Sequence, residues 1–281
     1  MESANSIYKK ILAVYTICFL GWVGWVYAAG SLLSQIEPTF LLNRLDLTLN
    51  LVLSTGLHGW LTAHPFAFQL MDLLFVTHPI WLWLSVRNEK MSWVAIAVVV
   101  LNLTYVLLAS SYTILSMNGW IGWYLIPLLF CFRRDQARAL ALEGMRYAFM
   151  IILFSAGLWK IRAGGIFDTE TMSGILISQH ATEMVYNPDS IHIRAITWLI
   201  QHPLLSYSLY LTATLIELSF LAGLFTKKWD RLLCWALIAF ILFDILLMRI
   251  NYSAWLAFIG VIWGAGRFPS DKSWRLTPGT K

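Results

Sequence analysis

The chain has 281 residues, a net charge of +5, 59% hydrophobic and 12% charged residues, and a mean hydropathy of +0.67. Soluble domains carry about 25% charged residues, so this composition excludes a soluble globular domain and points to an integral membrane protein. The basic surplus does not point to nucleic acid, because Lys and Arg gather at the ends of apolar runs, where membrane topology and anionic lipids account for them.

The first apolar run, 11–33, follows Lys9 and Lys10. It exceeds the usual 7–15 apolar residues of a cleaved signal and reads as an uncleaved first span. The stretch 34–65 contains an apolar segment at 45–61 with Asn50, Ser54, Thr55 and His58 embedded in it. That segment reads as an interfacial or partly buried helix on the outer face, with a further span as the alternative. Apolar runs follow at 66–86, 91–116, 120–132 and 142–159, and after a polar interval at 204–225, 232–250 and 253–265. About 20 apolar residues cross a ~30 Å hydrocarbon core. Most runs meet that length; 120–132 and 253–265 are short and either could be re-entrant. Continuous runs exclude the alternating ten-residue pattern of a β-barrel. The expected fold is all-α: a polytopic membrane helix bundle of about eight transmembrane helices, in one domain covering residues 1–281.

Basic residues resist translocation, which orients such a chain. With the N-terminus inside, the inner loops and tail hold Lys9, Lys10, Arg87, Lys90, Arg133, Arg134, Arg138, Lys227, Lys228, Arg231, Arg267, Lys272, Arg275 and Lys281. The outer side holds only Arg44, Lys160, Arg162, Arg194 and Arg249, and Arg146 sits within a span. Both termini are therefore expected to be cytoplasmic. Trp residues near span ends, among them Trp22, Trp25, Trp81, Trp83, Trp120, Trp123 and Trp159, read as interfacial anchors. Cys18, Cys131 and Cys234 form no CxxC pair, which argues against a disulfide framework.

The polar interval 160–203 is the larger outer-face segment. Its pieces 172–178 and 191–200 read as short amphipathic helices on the outer surface, joined through a turn at Asn187-Pro188-Asp189-Ser190, with Ser190 or Asp189 as helix cap. Its histidines, His180, His192 and His202, are twelve and ten residues apart and lack an HxxxH or HExxH spacing, so no metal site is expected.

Charges within spans are expensive and mark functional candidates. At a rise of about 1.5 Å per residue, Asp72 and Asp244 lie about 9 Å from the outer ends of their spans. Lys160 and Arg249 sit at the outer boundary, and Arg146 and Glu217 fall at one level about 20 Å deep. Arg146 and Glu217 are expected to form a structural ion pair. Lys160, Asp244 and Asp72, with Arg162, Arg249, His180 and His192 above them, are expected to line an outward-facing polar cavity. Independent snorkelling is the alternative for the longer basic side chains. His78-Pro79 lies mid-span, where Pro frees a backbone carbonyl; His78 either satisfies local backbone or joins a proton path.

The segment Phe154-Ser155-Ala156-Gly157-Leu158-Trp159-Lys160 is an aromatic residue, then Ala-Gly, then Lys three residues on, at the outer end of a span. It resembles the motif of the HTTM family, the membrane domain related to vitamin K-dependent γ-carboxylases, with DoxX-like and toxin-maturation bacterial relatives. The later run 211–225, with Glu217 embedded, resembles the Glu-containing helix that follows in that family. The resemblance implies that Lys160 acts as a base toward a reduced quinone; Asp244 and Asp72 stand beside it as catalytic candidates by their depth alone. It implies an enzyme or maturation factor of the bacterial inner membrane, in contact with membrane lipids and acting on a quinone-type cofactor or an exported peptide. The alternative is a non-catalytic membrane subunit or chaperone that docks an exported partner through residues 160–203. A transporter would want matched broken helices, and only His78-Pro79 interrupts a span.

Overall fold

The computed structural model describes residues 4–36, 50, 53–88, 91–112 and 117–267. Among them every regular element is helical, and six helices are long and apolar enough to cross a membrane, as in a multi-pass membrane protein. In chain order the helices are α1 (Ala4–Ala28), α2 (Leu57–Ala63), α3 (Pro65–Arg87), α4 (Ser92–Tyr112), α5 (Ile121–Leu125), α6 (Asp135–Arg162), α7 (Thr171–Tyr186), α8 (Ile191–Gln201), α9 (Pro203–Ser219), α10 (Leu221–Phe225), α11 (Asp230–Phe243) and α12 (Phe258–Arg267). The membrane-length apolar segments are Asn5–Ala28, Pro65–Arg87, Ser92–Ser110, Asp135–Arg162, Pro203–Phe225 and Asp230–Met248. The two short runs form broken helices. Met117–Trp120 and Ile126–Cys131 flank α5 as 3₁₀ turns, and the 3₁₀ turn Ser253–Ala257 leads into α12. Residues 45–49, 51 and 52 of the expected helix at 45–61 lie outside the described residues, as do Arg44, Lys90, Lys272, Arg275 and Lys281.

Where the sequence reads as one domain, the chain forms two compact units, 1–145 with 253–281, and 146–252. The division is invisible in composition because both units are equally apolar, and α6 runs from one into the other.

In the first unit α12 returns to pack on α1. Gly260 and Gly264, one turn apart, leave room for Val14, Ile11 and Ile7 of α1; a Cβ on Gly260 would stand 3.3 Å from Val14 Cβ. This is the small-residue contact by which apolar helices approach closely without a hydrophobic gradient between them. The core is an aromatic cluster of Tyr15, Phe19, Trp22, Phe75, Trp120 and Trp123, with ring centroids of successive neighbours 4.7–6.2 Å apart. Trp22, Trp120 and Trp123 are thus core residues, which corrects their reading as interfacial anchors. Proximity to a span end does not say which face of the helix a Trp occupies. Trp25, Trp81, Trp83 and Trp159 do lie exposed.

His78 sits fully buried among these rings. Pro79 cannot donate to the carbonyl of Phe75, four residues earlier, and His78 Nδ1–H donates to that oxygen instead, at 2.6 Å. Nε2 then accepts the Tyr15 hydroxyl proton at 2.6 Å. Of the two readings of His78, the structure shows the local backbone one.

The second unit has its own core. Met172 and Leu176 of α7, Ile196 and Leu199 of α8 and Tyr210 of α9 are buried together, with Leu209, Phe243 and Leu247 packed against them. The expected amphipathic pieces are α7 and α8. Their opposite face leaves Ile177, Val185, Tyr186 and Ile191 exposed. The turn Asn187–Ser190 reverses the chain between them, and Ser190 Oγ caps α8 by accepting the N–H of Ile193 at 3.1 Å.

Candidate functional site: a lysine shared by buried acids

Lys160 lies in the last turn of α6, and its ammonium contacts a carboxylate of α9: Nζ stands 2.9 Å from Glu217 Oε2. Gly157 makes this possible. A Cβ there would meet the Leu218 side chain at 3.0 Å and Glu217 Cβ at 3.2 Å. The bare backbone therefore lets α9 close on α6 beside Glu217, and the Lys160 stem, three residues on, bends across the gap. The rings of Tyr210 and Phe240 flank the ammonium at 5.6 and 5.8 Å. The Lys160 side chain is 27% exposed and that of Glu217 only 4%, so the cation borders water and the acid does not.

Asp244 completes the cluster. It begins a π-helical turn (Asp244–Met248) at the end of α11, is buried, and lies within electrostatic reach of Lys160 and Glu217. The wider turn suits a functional position, since π-bulges inside α-helices gather at such sites. Tyr252 stands just beyond. Burial, and then the charges of Asp244 and Glu217, push its phenol above the ordinary range. One ammonium thus faces two enclosed carboxylates.

Comparison of the chain with protein-family models, curated proteins and solved structures finds no match.

The expected ion pair of Arg146 with Glu217 does not form. Arg146 is bound by Asp230, with Nε donating to Oδ2 at 3.0 Å and Nη2 to Oδ1, and Nη2 also donating to the Thr226 carbonyl at 3.2 Å. The difference is one of register. The first turns of α9 pack beside the chain beyond α6, where the Tyr207 hydroxyl donates to the Ile166 carbonyl. Glu217 therefore comes level with Gly157, while Gly223 comes level with Met150 and Thr226 with Arg146. Asp230, the first residue of α11, is the carboxylate at the level of Arg146. The signal available in the sequence is the position of Asp230 in a helix first turn, a favoured place for an acid.

Asp72, expected beside Lys160, belongs to the first unit and is fully engaged there. Oδ1 accepts from the Tyr105 hydroxyl at 2.6 Å and from Leu33 N–H at 3.1 Å, and Oδ2 from Ser34 N–H at 2.9 Å. It fastens the turn after α1 to α3 and α4. Arg162 stacks over Trp159 at 5.2 Å, a snorkelling contact instead of a cavity lining.

His180, His192 and Arg249 come together apart from Lys160. The reversal at Asn187–Ser190 brings the two imidazoles to a centroid distance of 5.1 Å, and Glu183 joins them. Arg249 holds a left-handed backbone (φ 50) and contacts Glu183 Oε1. Partial burial, and then the charge of Arg249 nearby, keep His192 below its ordinary pKa, with Glu183 opposing. Nothing in the composition of the segment sets Glu183 apart. The clue is its i,i+3 spacing from His180, which sets both side chains on one helix face.

Proposed function

We propose that the chain is an HTTM-type integral membrane enzyme or maturation factor whose site is the Lys160–Glu217–Asp244 cluster. In this reading the six long helices and the two broken ones cross a bacterial inner membrane eight times. Both termini are then cytoplasmic, and Lys160 and the segment 160–203 face outward, as the distribution of basic residues argues. The observation that carries the reading is a partly exposed lysine amine at 2.9 Å from a buried carboxylate, with a second buried acid in reach. A structural pair needs one acid for one base; the second acid gives the proton of Lys160 somewhere to go.

The residues fit a reduced quinone, the cofactor the family resemblance implies. The Tyr210 and Phe240 rings offer flat apolar walls on either side of Lys160, and the amine borders the open side. When bound, a reduced quinone supplies electrons and acidic O–H groups. Lys160 passes its proton to a carboxylate of Glu217 or Asp244, and the free amine then takes a proton from an O–H group at its open side. Positioning is the work of Gly157, through the helix contact it permits.

Purified protein in lipid nanodiscs loaded with menaquinol tests the site. Quinol retained after washing, quantified by extraction and chromatography, should fall at least tenfold in Lys160→Ala and be only partly restored in Lys160→Arg. Equal retention in wild type and Lys160→Ala sinks the quinone reading. Labelling a cysteine at position 162 with an impermeant thiol reagent on intact cells tests the threading; protection of that thiol while one at position 228 reacts reverses it.

A second reading rests on the exposed apolar face of α7 and α8, where Val185, Tyr186 and Ile191 are each at least 74% exposed. Such a face suits docking of an exported protein by a non-catalytic subunit or chaperone. Scrambling residues 174–192 should then abolish capture of that partner, while Lys160→Ala leaves capture intact.

A further inference from the structure

The structure assigns a site for one divalent transition-metal ion, of zinc type, to His180, Glu183 and His192. It is separate from the Lys160 cluster and does not depend on the function proposed for it. One ligand-bearing atom from each of the three residues lies within 4.8 Å of the other two. Glu183 Oε2 and His180 Nδ1 each carry a free lone pair, and His192 Nε2 carries one when the proton of that ring is on Nδ1. His180 Nε2 is 2.8 Å from the Leu247 carbonyl, and since a carbonyl only accepts, the proton sits on Nε2 and Nδ1 is bare. That Nδ1 is 3.8 Å from Glu183 Oε2, too far for a hydrogen bond. Glu183 Oε2 and His192 Nε2 are enclosed, and neither has a hydrogen-bond partner among the described residues. Buried polar atoms are ordinarily paired. With His192 in that tautomer the three lone pairs face one another and repel, and a cation at their centre relieves them.

The surroundings are those of a ligated site. A metal-bound histidine almost always donates its other N–H to a carbonyl or carboxylate, as His180 does to Leu247. Arg249 takes the other oxygen of Glu183, Oε1, which turns Oε2 toward the imidazoles, and its left-handed backbone places it there. The Arg249 side chain is 51% exposed, so water screens its charge from the ion. Two imidazoles and a carboxylate select zinc-like ions over calcium or magnesium, which prefer all-oxygen shells. Bonds of about 2.0–2.2 Å draw the widest pair of ligand atoms inward by about 1 Å, a side-chain rotation. Three protein ligands leave the fourth tetrahedral position open. A cleft of about 450 Å³, lined by Glu183, Tyr186, Asp189, Ser190 and Arg249, opens on the Glu183 side of the cluster.

The test uses the full chain, purified without a histidine tag, reconstituted in nanodiscs and stripped with a chelator. Titration with Co²⁺ should give one equivalent bound, with the visible absorption of tetrahedral Co²⁺, bleached on addition of Zn²⁺. His192→Gln and Glu183→Gln should each weaken binding at least tenfold. His202→Gln and Lys160→Ala should bind as wild type does. Absence of stoichiometric uptake by the folded wild-type protein overturns the assignment without recourse to any variant. So does undiminished affinity in His192→Gln.

Discussion

Asp72, in the first unit, and Lys160, in the other, are alike in the sequence: each is a charged residue near the end of an apolar run. In the structure they differ in what is left over. Both oxygens of Asp72 are used, by two backbone N–H groups and the Tyr105 hydroxyl. His78 likewise has both ring nitrogens engaged. Arg146 donates through Nε and Nη2 to Asp230 and Thr226. Lys160, by contrast, has more acid than it needs and stands partly in the open, and the His180 cluster has lone pairs without donors. Charge within or beside an apolar run marks all of these residues. Whether their partners saturate them separates those that hold helices together from those with capacity for chemistry.

The strongest test of that contrast is Arg146→Met. It strands Asp230 in a buried setting, and breaking a buried pair from one side costs about 3–5 kcal/mol. Thermal melting in detergent should show the loss, and Arg146→Met with Asp230→Leu should recover much of it. If the single variant melts as wild type does, the pair is not structural. Next comes Asp72→Ala, which leaves two N–H groups and a hydroxyl without an acceptor. About 3 kcal/mol is expected, the upper end for stranding one buried group, because some of the donors can turn to water. Tyr105→Phe, which removes one donor, should cost about 1 kcal/mol.

Lys160 should behave in the opposite way. Lys160→Met keeps the stem and its packing on Tyr210 and Phe240, the ammonium it removes already borders water, and Glu217, stranded as Asp230 is by Arg146→Met, can take up a proton through that open side. A stability cost of about 1–2 kcal/mol is expected, well below that of Arg146→Met, together with the loss of quinol retention. A Lys160→Met protein that unfolds as readily as Arg146→Met would place Lys160 among the structural pairs and erase the distinction.

The sequence carries the helical fold because apolar runs of membrane length leave few alternatives. It carries Lys160, Glu217 and Asp244 as candidates because charges in such runs are rare. Pairing is the part it cannot carry. Counting 1.5 Å per residue sets one helix level with another only when their ends are level, and α9 begins beyond the end of α6. A slip of about three turns at that point takes Glu217 from Arg146 to Lys160. Metal-ligand spacing fails for another reason: His180 and His192 lie on different helices, and the turn that joins their side chains cannot be read from an interval of twelve residues. Trp22, Trp120 and Trp123 mislead because a span end is also where a buried aromatic cluster can close.

That turn offers the gentlest test of the contrast. Ser190 caps α8 through the N–H of Ile193 and so sets the position of His192, two residues on, against His180. Ser190→Ala removes one cap and no metal ligand. It should cost about 1 kcal/mol locally, visible as faster hydrogen exchange in the first turn of α8, with the melting of α6 and α9 unchanged. Cobalt affinity should fall only modestly, because the ion itself can hold the two helices in place. A large loss of affinity from so small a change would mean that the turn, and not the lone pairs of the three ligands, dictates the geometry of the cluster. Exchange that is unchanged would mean that the exposed apolar face of α7 and α8 is already held by contacts stronger than the cap.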